Sequence, residues 1–152
     1  MRSFGFLFLI LALSCKAQKD SQIETGHKFE NLVLLAHDNY SNIGEYQTQI
    51  IRDQKTLQKF YSQVNKTRKP GLTVPIIDFS KEMLILVSLG EQRSQKNIVI
   101  TKIKESDKEI EIGIEIFDKK KEGELSIQPM YYPFYLYKMP LVDKNLLFQK
   151  IE

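Results

Sequence analysis

The chain has no tryptophan, one cysteine and two histidines among its 152 residues. A single cysteine excludes an intramolecular disulfide, so the fold has to stand on its apolar core. His27 and His37 have no HxxxH, HExxH or Cys/His spacing around them, and a zinc or other transition-metal site needs one of those patterns. No metal and no other cofactor is therefore expected. His37 is the one conceivable base for a serine hydrolase, but no serine stands in a GxSxG context. None of the seven glycines forms a phosphate-cradling P-loop or dinucleotide motif. An excess of one charge is also missing, because 22 Lys and Arg against 19 Asp and Glu leave only +3. Such a weak imbalance gives no reason to expect nucleic acid as a partner.

What is present is ordinary for one globular domain: 42% apolar, 27% charged and 11% aromatic residues. The apolar residues are unevenly spread. Arg2 precedes the unbroken run Phe6 to Leu13, and small Ser14 then precedes Cys15. A run of this length suits a secretory leader and is too short for a stable bilayer-spanning anchor. Residues 1–14 are thus expected to be a signal peptide. Cysteine directly after such a run resembles the lipobox of bacterial lipoproteins, in which the thiol receives a diacylglyceryl group and the new amino terminus is acylated. Ala12 stands where that family favours leucine. A second reading, cleavage after Ala17, stays open and would release a soluble protein. Under the first, Cys15 carries the lipid and fixes the chain to a membrane. Lys16 after the cysteine, rather than an acidic residue, fits an outer-membrane location in the bacterial envelope.

Residues 15–28 are mostly polar, with Ile23 as their only large aliphatic residue, and read as a flexible tether. A single domain is expected over 29–152. Strand patterns cover 32–36, 45–52 and 98–104, with a last one from Leu146 to Ile151. Asp53 is placed to cap a helix whose Leu57, Phe60, Tyr61 and Val64 recur at i, i+3, i+4, i+7, with Pro70-Gly71 as the stop. Lys66, Arg68 and Lys69 read as its solvated cationic end. The apolar run Met83 to Val87 predicts a central strand buried on both faces. Ile110, Ile112, Ile114 and Ile116 alternate with Glu109, Glu111, Gly113 and Glu115, which puts one face on the core and one in water. The fold class is mainly β with an α+β character: an antiparallel sheet or small sandwich with one packed amphipathic helix.

Candidate chemistry is sparse. Glu109, Glu111 and Glu115 share a strand face, yet Lys102 and Lys104 lie across the expected hairpin and cross-strand charge pairing accounts for them. The turn Asp118 to Gly123 has mixed charge and reads as a solvated loop. More informative are Tyr131, Tyr132, Phe134, Tyr135 and Tyr137, five aromatics in seven residues. Alternation after Pro133 sends Phe134 and Leu136 inward and Tyr135 and Tyr137 outward. Outward tyrosines suit a protein-binding surface, or else they cover the sheet beneath a loop.

From about Arg52 to Ile151 the order of features resembles the C-terminal domain of the protease complex subunit PrcB family. The resemblance is carried by Ile77-Asp78-Phe79-Ser80-Lys81-Glu82-Met83 leading into the apolar strand, Gly90, the strands at Ile98 and Ile110, Pro133-Phe134-Tyr135-Leu136, Met139-Pro140 and Phe148. The family follows its glycine with a Thr-Gly-Gly-Tyr-like turn, whereas this chain has the glycine-free stretch Glu91 to Asn97. The resemblance implies a non-catalytic, lipid-anchored accessory protein that binds, and stabilises, a protein partner such as a surface protease complex. The expected contact residues are Arg93, Gln95 and Asn97 in the loop and Tyr131, Tyr132, Tyr135 and Tyr137 in the aromatic segment. An inhibitor-like domain that blocks an envelope protease is the alternative. A hydrolase working through Glu111 and its neighbours is a third reading, in which Glu111→Gln abolishes activity.

Overall fold

A computed structural model describes residues 27–119 and 129–151. The expected leader, Cys15, most of the expected tether and the greater part of the charged turn after Asp118 lie outside the described residues. Eight strands run in the order β1 (His27–Lys28), β2 (Val33–Asp38), β3 (Tyr46–Ile51), β4 (Glu82–Leu89), β5 (Lys96–Glu105), β6 (Glu109–Asp118), β7 (Phe134–Pro140) and β8 (Asn145–Ile151), with helix α1 (Gln54–Val64) between β3 and β4. They form two four-stranded sheets, β1-β5-β6-β8 and β2-β7-β4-β3. The result is a three-layer stack of sheet, sheet and helix, in agreement with the mainly-β expectation.

The sequence of β4 explains why its sheet lies in the middle of that stack. Met83, Ile85, Val87 and Leu89 point to the first sheet, where they meet Ile98, Ile100, Ile110, Ile112 and Ile114. Leu84 and Leu86 point the other way and meet Leu57, Phe60, Tyr61 and Val64 of α1. A strand with apolar residues on both faces is stable only where both faces are covered. The four helix residues are buried, and each full burial of such a side chain contributes about 1.5–3 kcal/mol. Asp53 caps α1 by accepting from the Thr56 N–H at 2.8 Å, as its position implied. That hydrogen bond and the Thr56 hydroxyl hold its carboxyl below the usual range.

Four expectations need correcting. His27 and Lys28, read from composition as the end of a tether, pair with Lys102 and Thr101 of β5. Backbone pairing to a sheet edge needs no apolar side chain. Second, β8 pairs with β6 in parallel, Ile110 opposite Leu146 and Ile112 opposite Phe148, while the other pairs of named strands are antiparallel. The chain between β6 and β8 passes through the other sheet as β7, and that crossover permits the parallel arrangement. Third, α1 ends at Val64 with a short 3-10 turn at Asn65–Thr67, well before Pro70. Asn65 holds the exit by accepting from the Leu72 N–H at 2.7 Å and donating to the Leu72 carbonyl at 2.8 Å. Fourth, Arg68 is not part of a solvated end. Its guanidinium pairs with the Asp38 carboxylate and donates to the Tyr40 carbonyl at 2.9 Å.

Candidate functional site

The antiparallel registers bring four strand ends to one pole of the sandwich. Phe134 at the start of β7 lies opposite both Ser88 near the end of β4 and Asp38 at the end of β2. Tyr46 at the start of β3 lies opposite Leu89. The loops that leave these ends, 39–45, 90–95 and 129–133, are therefore neighbours, although they are far apart in sequence.

Backbone hydrogen bonds lock the three loops together. Gln92 and Tyr131 exchange N–H···O bonds, both 2.8 Å. Tyr132 donates to the Asn39 carbonyl and accepts from the Ser41 N–H, again both 2.8 Å. Glu91 donates to Gly44 at 3.1 Å, and Leu89 to Pro133 at 2.9 Å. The chain makes the bend into the 91–95 loop at Gly90, whose φ is +71° and which packs against the backbone of residues 44–46. One glycine with positive φ ahead of the loop thus does the turning, and residues 91–97 contain no positive-φ residue.

Asn42 ties this pole to the helix. Its φ is +58°, a region that asparagine tolerates. Its side-chain amide donates to the Gln63 and Val64 carbonyls at 3.2 and 3.1 Å, and Gln63 donates back to the Asn42 carbonyl at 3.3 Å. Both are carbonyls of the last helical turn, where the intrahelical donors run out. The turn-forming composition of 38–44 is visible in the sequence; that one of its residues closes a helix is not.

The expected contact residues divide sharply. Arg93 is exposed at the tip of the 91–95 loop, and Tyr132 is half-buried beside it in the loop cluster. Tyr131 is buried, with its ring 6.1 Å from that of the exposed Tyr40. Gln95 is half-buried and its carbonyl accepts from the Lys119 N–H; Asn97 already belongs to β5, opposite Phe117. Tyr135 and Tyr137 do not point outward. Tyr135 is only 4% exposed, and both tyrosines pack in the core between the sheets. Its ring stacks on His37 with centroids 4.2 Å apart, and its hydroxyl donates to the Lys96 carbonyl. Burial, with a smaller contribution from Tyr135, pushes the Tyr137 phenol up to about 12. The physical reason is that β7 lies in the middle layer, with the other sheet packed on the Tyr135 face and α1 on the Phe134 and Leu136 face.

Two exposed side chains that the sequence reading left out join this pole: Tyr40, 46% exposed, and Met130, 54% exposed. With Tyr132 and Arg93 they offer aromatic and thioether area beside one guanidinium. That composition supplies contact rather than proton transfer. At the opposite pole, an open cleft of about 400 Å³ is lined by Ile50, Arg52, Asp53, Asp143, Lys144, Asn145 and Leu146. Its guanidinium already donates to the Val142 carbonyl at 3.0 Å, its lysine pairs with Glu105, and Asp53 is committed to the helix cap. Glu111 stands opposite Lys104 across the β5–β6 hairpin.

Neither a family model, nor a curated protein, nor a solved structure matches this chain.

Proposed function

We propose that the chain is a lipid-anchored accessory protein of the bacterial envelope, held at the outer membrane through Cys15, that binds a protein partner such as a surface protease complex. The resemblance to PrcB-type domains supports the accessory role. The observation that carries the contact surface is the pair of bridges Gln92–Tyr131 and Tyr40–Tyr132, which unite the 91–95 loop, the aromatic segment and the 39–45 loop. The surface is accordingly formed by Tyr40, Arg93, Met130 and Tyr132, with Gln95 and Asn97 on its flank. Tyr131, Tyr135 and Tyr137 support it from below.

Tyrosine and arginine dominate the energetics of such patches, and truncating a central one costs about 2 kcal/mol or more of binding. The test is crosslinking and affinity recovery from membranes with the native protein and with Tyr40→Ala/Arg93→Ala. The double variant is expected to lose at least nine-tenths of the recovered partner (about 1.4 kcal/mol or more) while keeping its melting temperature. Undiminished recovery removes this pole from the proposal. Activity of the co-purified partner separates the accessory role from inhibition, and mass spectrometry of the mature N-terminus tests lipidation of Cys15.

A further inference from the structure

Among the described residues, two open sheets present four edges. β1 is described over two residues only. β2 is interrupted by a register shift between Leu34 and Ala36. β8 carries Lys150, whose ammonium reaches over the Tyr46 ring of β3 with 5.9 Å to its centroid. β3, the outer strand of the central sheet, has none of these: Tyr46-Gln47-Thr48-Gln49-Ile50-Ile51 contains no charge, proline or glycine, and it pairs with β4 in unbroken register. Tyr46, Gln47 and Gln49 are exposed. An edge strand directs alternate N–H and C=O groups away from its sheet, and an unprotected one is a template for another strand.

We infer that β3 is a self-association edge, where a second copy of this chain adds its own β3 in antiparallel register to make one continuous eight-stranded sheet. Residues that face each other across an antiparallel pair must lie on the same face of the sheet. A two-fold axis at Thr48 meets this condition. It sets Thr48 opposite Thr48, Gln47 opposite Gln49 and Tyr46 opposite Ile50. Each of these is a favourable cross-strand pair: hydroxyl with hydroxyl, amide with amide, aromatic ring with β-branched chain. The two-fold operation makes the same patch serve both copies, as an isologous dimer requires. This surface lies on the side of the molecule and is independent of the loop pole described above.

The test uses the full chain. In Thr48→Cys, the symmetry-related positions stand about 4.5–5.5 Å apart at Cβ, near disulfide range. Mild oxidation then gives a linked dimer above the level of the unsubstituted chain. Gln49→Cys, at the more exposed position, faces Gln47 of the second copy rather than its own equivalent and links roughly tenfold more slowly. Equal rates for the two variants would indicate random collision and overturn the proposal. Sedimentation gives a second readout through exposed positions that leave the fold intact. Gln47→Lys/Gln49→Lys sets lysine against lysine and weakens association roughly tenfold or more, while Gln47→Lys/Gln49→Glu restores it. A native chain that stays monomeric at every concentration reached, or a Lys/Glu variant no better than the Lys/Lys variant, refutes the register.

Discussion

Replacing Gly90 by alanine puts a side chain where the backbone leaves no room. At φ +71° an L-residue costs about 1–2 kcal/mol relative to its ordinary conformations. The added Cβ would also lie 2.8 Å from the Glu45 carbonyl carbon and the Tyr46 nitrogen, and 2.9 Å from the Gly44 oxygen. All three are backbone atoms of the adjoining loop and strand, so relief requires moving the β3 entry and lengthening the Glu91–Gly44 hydrogen bond. Overpacking of this kind adds about 1–3 kcal/mol, and the total loss is then about 2–5 kcal/mol. The assay is equilibrium urea unfolding. With a mid-range slope of about 2 kcal/mol per molar, the midpoint falls by about 1–2.5 M at unchanged slope. Gly44→Ala is the control, since a Cβ there meets nothing within 4 Å, and it should stay within about 0.5 kcal/mol of the parent. Gly90→Asn separates the two costs, because asparagine tolerates the positive φ but keeps the collision. A Gly90→Ala midpoint no lower than that of Gly44→Ala would refute the reasoning.

Three further predictions concern ionisable groups. Asp38→Ala strands the Arg68 guanidinium, whose Nε is already buried without a partner; the expected loss is about 1–3 kcal/mol, and in a thermal-melt double-mutant cycle Arg68→Met should recover part of it. The Lys102 and then the Lys144 ammonium hold Glu105 down at about 2 against an ordinary 4.5. Its contribution is thus complete above about pH 4.5 and lost as the pH falls toward 2, so native protein and Glu105→Gln should differ in melting temperature at neutral pH and converge at pH 2. The difference is small because the pair is solvated. Tyr137, raised to about 12, works in the opposite direction. Folding favours its neutral form, so stability falls as the pH rises from about 10 toward 12, and Tyr137→Phe should flatten that alkaline limb in denaturation monitored by circular dichroism.

The sequence was most legible where one period dominated. The isoleucines of β6, the apolar run of β4 and the helix stripe behind Asp53 each state their own burial, and the structure matches them. The aromatic segment admits two readings. Phe134-Tyr135-Leu136-Tyr137 contains no charged residue, as in the Met83 to Val87 run, while tyrosine also suits the outward half of an alternation. A phenol can be buried once its hydroxyl finds a partner, and Tyr135 finds the Lys96 carbonyl from 39 residues away. Such a partner has no local signal. The same holds for the Arg68–Asp38 pair, for Asn42 at the end of α1 and for the direction of β8, because side-chain alternation is identical in parallel and antiparallel strands. Of the loop pole, Arg93 and Tyr132 could be named from sequence, while Tyr40 and Met130 needed the topology.

The parallel alignment of β6 with β8 also sets an order of events. Until residues 145–151 are synthesised and have crossed from the other sheet, β6 is an open edge whose isoleucine row lacks the cover of Leu146 and Phe148. No local hairpin can supply that cover, and contacts between strands so distant in sequence form slowly because the intervening chain must first be ordered. A copy stopped short of Asn145 has every residue of its central sheet and still lacks the Leu146 and Phe148 side of its core.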